Sequence, residues 1–135
     1  MSDQLNFLNP DTLFKPPGYT QVVEATTPGR VVFIAGQLGQ TTDGKLAGAP
    51  GDFRAQAEQA MLNLKAALAA VGGSIEHVVK ITNYLVDIRH LPLFREVRDA
   101  HFRSPPPAST TMAISALARE GALFEIEAIA VLPPR

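Results

Sequence analysis

The sequence predicts an α+β fold: a mixed sheet with two helices packed on one face, in the order β-β-α-β-α-β-β. Three observations carry this. Apolar residues follow a period near two, switch to a helical period at Asp52, and return to strand-like runs near Val78. Five short runs rich in β-branched or aromatic residues are bounded by Gly, Pro, Asn and Asp. The 135 residues are 46% hydrophobic and 19% charged, which suits a single globular domain over 1–135 rather than a disordered chain.

Residues 1–18 read as an irregular arm, broken by Asn9-Pro10 and Pro16-Pro17-Gly18. Thr20–Thr26 alternates weakly and reads as a strand. Thr27-Pro28-Gly29-Arg30 reads as a turn, and Val31–Gly36 as a second strand whose continuous apolar run predicts burial on both faces. The two strands are expected to form an antiparallel hairpin. Gln37–Pro50 is loop, with a turn at Asp43-Gly44.

The first helix is the clearest element. Phe53, Ala57, Ala60, Met61, Leu64, Leu68 and Val71 recur at three- and four-residue steps, Asp52 is placed to cap the start, and Gly72-Gly73 stop it. Val78–Val86 reads as a strand. A second helix should start near Leu91 with Pro92 in its first turn, and end near Phe102. The prolines at 105–107 exclude helix and strand pairing there. Thr110–Ala116 alternates as a strand, Arg119-Glu120-Gly121 turns, and Leu123–Val131 is the last strand.

Several function classes are excluded or disfavoured by composition. There are no cysteines, so disulfides, thiolate nucleophiles and Cys-based zinc sites are ruled out. A formal charge of −1 supplies no field for nucleic acid or an anionic membrane. No apolar run approaches the length of a bilayer span, no signal peptide is recognisable, and the expected location is cytoplasmic. His77, His90 and His101 lack metal-ligand spacing, and no metal site is expected.

The chemistry-bearing candidate is Glu125 and Glu127 in the last strand. Alternation places them on one face with Leu123, Ile129 and Val131, and puts Phe124, Ile126, Ala128 and Ala130 on the other, against the helices. A carboxylate among apolar residues is partly desolvated, which raises its pKa and suits it to general acid/base work. The same pattern fits a solvated pair, or one bonded to Lys80. Arg95 and Arg98, three residues apart on the second helix, fit either a solvated face or a fork for carboxylate or phosphate.

Across nearly the whole chain these segments resemble the RidA/YjgF family, the reactive intermediate deaminases also called endoribonuclease L-PSP. The resemblance lies in Asn9-Pro10 through Pro17-Gly18-Tyr19, and in Val32-Phe33-Ile34-Ala35-Gly36-Gln37. It continues in Gln56-Ala57 with Ala60 and Asn63-Leu64, in Val79-Lys80-Ile81-Thr82, and in Pro107-Ala108 with Glu125-Ile126-Glu127-Ala128. It implies a chorismate-mutase-like (YjgF-type) fold and a homotrimer whose sheets line a central barrel. It also implies a small-molecule pocket in each subunit cleft and hydrolysis of 2-imino acids to 2-oxo acids and ammonia, with no metal or organic cofactor. By the same resemblance Glu125 handles the attacking water, Tyr19 closes the pocket, the Gly36-Gln37 backbone helps hold the ligand, and Glu127 is a structural partner in the trimer core.

One position departs from the family pattern. The Arg that clamps the substrate carboxylate follows Pro-Ala, and here that residue is Ser109. A hydroxyl cannot imitate a planar, permanently charged fork. Ser109, Thr110 and Thr111 are expected to form an uncharged polar wall suited to a neutral ligand, with Arg95 a candidate for a displaced charge. Three readings follow: a family member that binds, and hydrolyses or deaminates, another small metabolite; a 2-iminobutanoate/2-iminopropanoate deaminase with a displaced Arg; and a non-enzymatic ligand-binding or chaperone-like module. RNA cleavage is disfavoured by the neutral charge and the lack of a recognition motif.

Overall fold

A computed structural model describes residues 4–26 and 29–135. Its framework is a four-stranded sheet. Strands are β1 (Leu5–Leu8), β2 (Val22–Ala25), β3 (Arg30–Leu38), β4 (Val78–Leu85), β5 (Ala108–Ala113) and β6 (Phe124–Leu132); helices are α1 (Phe53–Ala69) and α2 (Leu91–His101). The sheet runs β3-β6-β4-β5, with β6 antiparallel to both neighbours and β4 parallel to β5. The expected mixed sheet is therefore present, and the last strand lies in its interior.

Both helices cover the same face. Phe53 of α1 and Phe94 of α2 both pack on the Phe124 ring, with centroids 5.8 and 5.5 Å away. The core comprises the helical stripe Ala57, Ala60, Met61, Leu64 and Leu68 against Ile81, Leu85, Phe124, Ile126 and Leu132. The predicted caps hold. Asp52 Oδ1 accepts from Ala55 N at 3.0 Å, and Gly72, at φ 77°, turns the chain out of α1. That backbone conformation strongly favours glycine.

Two expectations are corrected at the N-terminus. The arm contains a strand: β1 pairs antiparallel with β2 in a separate two-stranded sheet. The expected hairpin between residues 20–26 and 31–36 is not the observed pairing, because β2 takes β1 and β3 takes β6. The sequence-local pairing loses to a partner nearly a hundred residues away because β6 offers β3 a long apolar ladder, from Arg30↔Leu132 to Ile34↔Ala128. Within the expected turn at 27–30, Thr27 and Pro28 lie outside the described residues.

A third correction concerns β3. Burial on both faces was expected, yet Val31 is 55% and Phe33 77% exposed. Ile34, facing the helices, is buried. Among the described residues, the side of the sheet opposite the helices is open at Val31 and Phe33, while Val131 on that side is buried.

Candidate functional site

Alternation along β6 sorts its side chains as expected. Phe124, Ile126, Ala128, Ala130 and Leu132 are buried toward the helices, while Glu125 and Glu127 stand on the open face. The register places Glu125 beside Tyr84 and Glu127 beside Thr82 of β4. The two carboxylates differ. Glu127 Oε1 accepts from Tyr84 Oη at 2.8 Å, which raises the tyrosine pKa. Glu125 has its pKa raised by burial first and by the neighbouring Glu127 charge second. Lys80 donates to Thr110 Oγ1 at 2.9 Å rather than to either glutamate, so the reading of a Lys80-paired carboxylate is not what the fold adopts.

Glu125 is seated by the absence of a side chain. The β3–β6 register slips between Ile34 and Gln37, and this bulge brings Gly36 under the carboxylate. A Cβ at Gly36 would lie 1.6 Å from Glu125 Oε2, so only glycine lets the acid rest there. Two polar side chains of α1 brace the flanking loops. Gln56 donates to Gly121 O at 3.1 Å and accepts from Leu123 N at 2.8 Å, holding the start of β6. Asn63 donates to Leu38 O at 2.9 Å and Gln40 O at 2.8 Å, holding the end of β3. Gly36 and Gln37 line a shallow cavity of about 390 Å³ with Thr41, Thr42 and Asn63.

The remaining candidates gather on the other side of the sheet. Tyr19, Arg95 and Ser109 line one cavity of about 280 Å³, together with Ile88, Leu91, Phe94, Arg98 and Thr111. Tyr19 is delivered by the arm, because Thr20 N donates to Pro107 O at 3.1 Å and Thr20 Oγ1 donates to Pro106 O. Thr110 is not part of this cavity; strand alternation turns it to the open face with Lys80. The polar wall is thus Ser109 and Thr111. Beneath it lies Asn83, fully buried, whose Nδ2 is 3.1 Å from both Ser109 Oγ and Thr111 Oγ1, while its Oδ1 is buried without a partner.

In one chain, then, the two halves of the expected pocket lie on opposite faces of the sheet. Glu125 and Gly36 belong to one half and Tyr19, Arg95 and Ser109 to the other, while Gln37, level with Ile126 in the ladder, lines its shallow cavity beside Asn63 of α1. Sequence reasoning included Thr111 in the polar wall and offered Arg98, with Arg95, as a fork for carboxylate or phosphate; it did not place Asn83 in the site. Asn83 carries a legible signal, since it is the one polar residue in the helix-facing series Ile81, Asn83, Leu85. Among the described residues no cluster of three or more His, Asp or Glu is placed to hold a metal ion. No helix among them is long and apolar enough to cross a membrane.

Comparison with known proteins bears on the family. The model of the family described as endoribonuclease L-PSP matches residues 15–132. The chain is 41% identical to protein DfrA of Myxococcus xanthus over 113 residues, 84% of each chain. It is 36% identical to the mouse 2-iminobutanoate/2-iminopropanoate deaminase, over 86% of this chain and 82% of that one. Among solved structures it matches the Rid-family protein YyfB of Yersinia pestis with a TM-score of 0.84 and 31% identity, over 96% of this chain and 99% of that one. With the YjgF-type fold and the order of its motifs also in place, the chain belongs to the endoribonuclease L-PSP family, the RidA/YjgF proteins.

Proposed function

We propose that the protein is a homotrimeric hydrolase acting on the C=N bond of a small imine, in clefts that join the two halves of the site from neighbouring copies. The observation that carries this is the split itself. Glu125 and the Tyr19–Ser109 cavity are separated by their own sheet, so a second copy is what can bring a carboxylate of one chain to the cavity of another. The uncovered face beside Glu125 supports the assembly: Val31 and Phe33 project from it next to Val131 and Ile129. Contiguous exposed apolar surface of this kind marks an association face.

The chemistry suits the acid. Glu125, ionised, accepts a proton from a water whose oxygen attacks the imine carbon. That proton goes on to the nitrogen to give the carbinolamine; Glu125 then takes the hydroxyl proton and passes it to the same nitrogen, and the C–N bond breaks as the carbonyl forms and ammonia leaves. A raised pKa matches this proton shuttling near neutrality better than an ordinary carboxylate would. The names of several relatives, including the mouse deaminase, point the same way. The test is hydrolysis of 2-imino acids generated in situ by an amino-acid oxidase. The wild-type protein is expected to accelerate ammonia release and Glu125→Gln to abolish the acceleration. No acceleration by the wild-type protein across a panel of imines would overturn the reading.

A further inference from the structure

Where α2 ends against α1, three titratable side chains form a hydrogen-bonded chain apart from the site described above. Glu58 and Lys65 share a face of α1 but lie two turns apart, beyond the one-turn spacing at which helical side chains pair directly. His101, the last residue of α2, fills the gap. Its Nε2 is 2.6 Å from Glu58 Oε1, and its Nδ1 is 2.8 Å from Lys65 Nζ. An ammonium only donates, so Nδ1 is the acceptor and Nε2–H donates to the carboxylate. That ring nitrogen is the one hydrogen-bond partner of Lys65 among the described residues, and no carboxylate among them lies within ion-pair distance of Nζ.

A second polar link between the same helices shows what this chain adds. Arg54 of α1 and Glu96 of α2 form a simple ion pair in which both side chains are largely in solvent. Such a pair holds two surfaces together weakly and does no more. His101, by contrast, is only 12% exposed. Its chain ends on an amine that lines a cavity of about 350 Å³, together with Ser74, Ile75, Glu76 and Arg103. Glu76 is engaged elsewhere, accepting from Ser74 Oγ at 3.4 Å. Carboxylate, imidazole and nucleophile in series is the arrangement that activates a nucleophile. The carboxylate fixes the tautomer of the base, and the base turns its open nitrogen to the group it deprotonates.

We infer that Lys65 is a nucleophilic lysine, activated by His101 and Glu58, that accepts an acyl group from a small activated donor, an acyl phosphate or a thioester. The ammonium gives one proton to His101 Nδ1, and the imidazolium so formed faces the Glu58 carboxylate. The Nζ lone pair then attacks the acyl carbon. As the tetrahedral adduct collapses, the bond to the leaving group breaks, and phosphate or thiol departs with the second Nζ proton. The product is an amide at Lys65, and His101 returns its proton to water. No oxidant or metal enters the balance. The site is separate from Glu125 and does not depend on imine hydrolysis.

The chain carries its own controls, because its other lysines are Lys15, Lys45 and Lys80. The intact protein is incubated near neutral pH with acetyl phosphate or with acetyl-coenzyme A, and acetylation of each lysine is followed by peptide mass spectrometry. Lys65 should react at least about tenfold faster than Lys45 with one donor or both, and the faster donor identifies the source of the acyl group. His101→Gln can still accept a hydrogen bond but cannot take a proton, and it should remove that excess. Glu58→Gln should remove part of it. Unchanged rates at the three reference lysines show that each variant keeps its fold, and imine hydrolysis should be the same in both variants as in wild type. A Lys65 rate within twofold of Lys45 with both donors overturns the inference. So does an excess that survives in both His101→Gln and Glu58→Gln, since the amine would then owe nothing to the chain behind it.

Discussion

The two faces of the central sheet are made of the same strands and have different fates. On the helix side, Ile81, Leu85, Phe124, Ile126 and Leu132 are fully buried by α1 and α2. On the open side, Phe33, Val31 and Met112 are exposed, and Glu125, Glu127 and Tyr84 lie among them. One face is completed within the chain and serves stability. The other is left incomplete, and it carries the acid with the raised pKa. The contrast shows why a carboxylate in an otherwise apolar strand is tolerated: within the chain it stands on the open face and is only partly buried.

Substitutions on each face should separate these roles. The largest effect is expected at Glu125. Glu125→Gln should lower kcat by about 10²- to 10⁴-fold, the usual range for a positioned acid/base. Stability should not fall with it. Burial and Glu127 lift the Glu125 pKa above its unfolded value, so the fold favours the neutral acid. The group's favourable contribution is complete at pH below the unfolded pKa and is lost as pH rises through the folded pKa. At pH 7 the ionised carboxylate works against folding, and Gln should leave Tm unchanged or raise it in a thermal melt.

The helix face should show the opposite pattern. Phe124→Ala removes the ring that both Phe53 and Phe94 touch, and should cost about 3–5 kcal/mol in urea unfolding. Next comes the open face as an association surface. Phe33→Asp should reduce the particle to a monomer by sedimentation while changing the far-ultraviolet spectrum little, since Phe33 is 77% exposed in the single chain. A stable assembly in that variant would break the comparison. The smallest effect is expected at Glu127. Activity should fall on the acid side with an apparent pKa above 4.5, and Glu127→Gln should move that limb down by less than the whole shift, because burial is the larger cause.

Much of the helix face was legible from residues alone. The stripe from Phe53 to Leu68, the Asp52 cap and the Pro92 start each follow from local rules, and the structure places them where those rules do. The failures share a cause. β1 has only four residues and is defined by its pairing with Val22–Ala25 rather than by its own pattern. β3 was matched to its neighbour in sequence, although its ladder partner lies at the far end of the chain. Its apolar run reads as burial on both faces, and the chain itself supplies only one. In the site, Glu125 was visible as a polar intrusion in an apolar strand. Arg98 was visible as one arm of a fork with Arg95, but its inward seat was not, because the room for its guanidinium is left by Gly18, eighty positions earlier.

Subunit mixing tests the central claim, that the site is completed between copies. Glu125→Gln lacks the acid but keeps its cavity; Ser109→Trp fills the cavity but keeps the acid. Each alone should be inactive. When the two variants are unfolded together and refolded as mixed assemblies, random pairing should restore roughly a quarter of wild-type imine hydrolysis, from clefts that combine one intact half from each. Mixed assemblies with no activity above the separate variants would contradict the account and place both halves of the site within one chain.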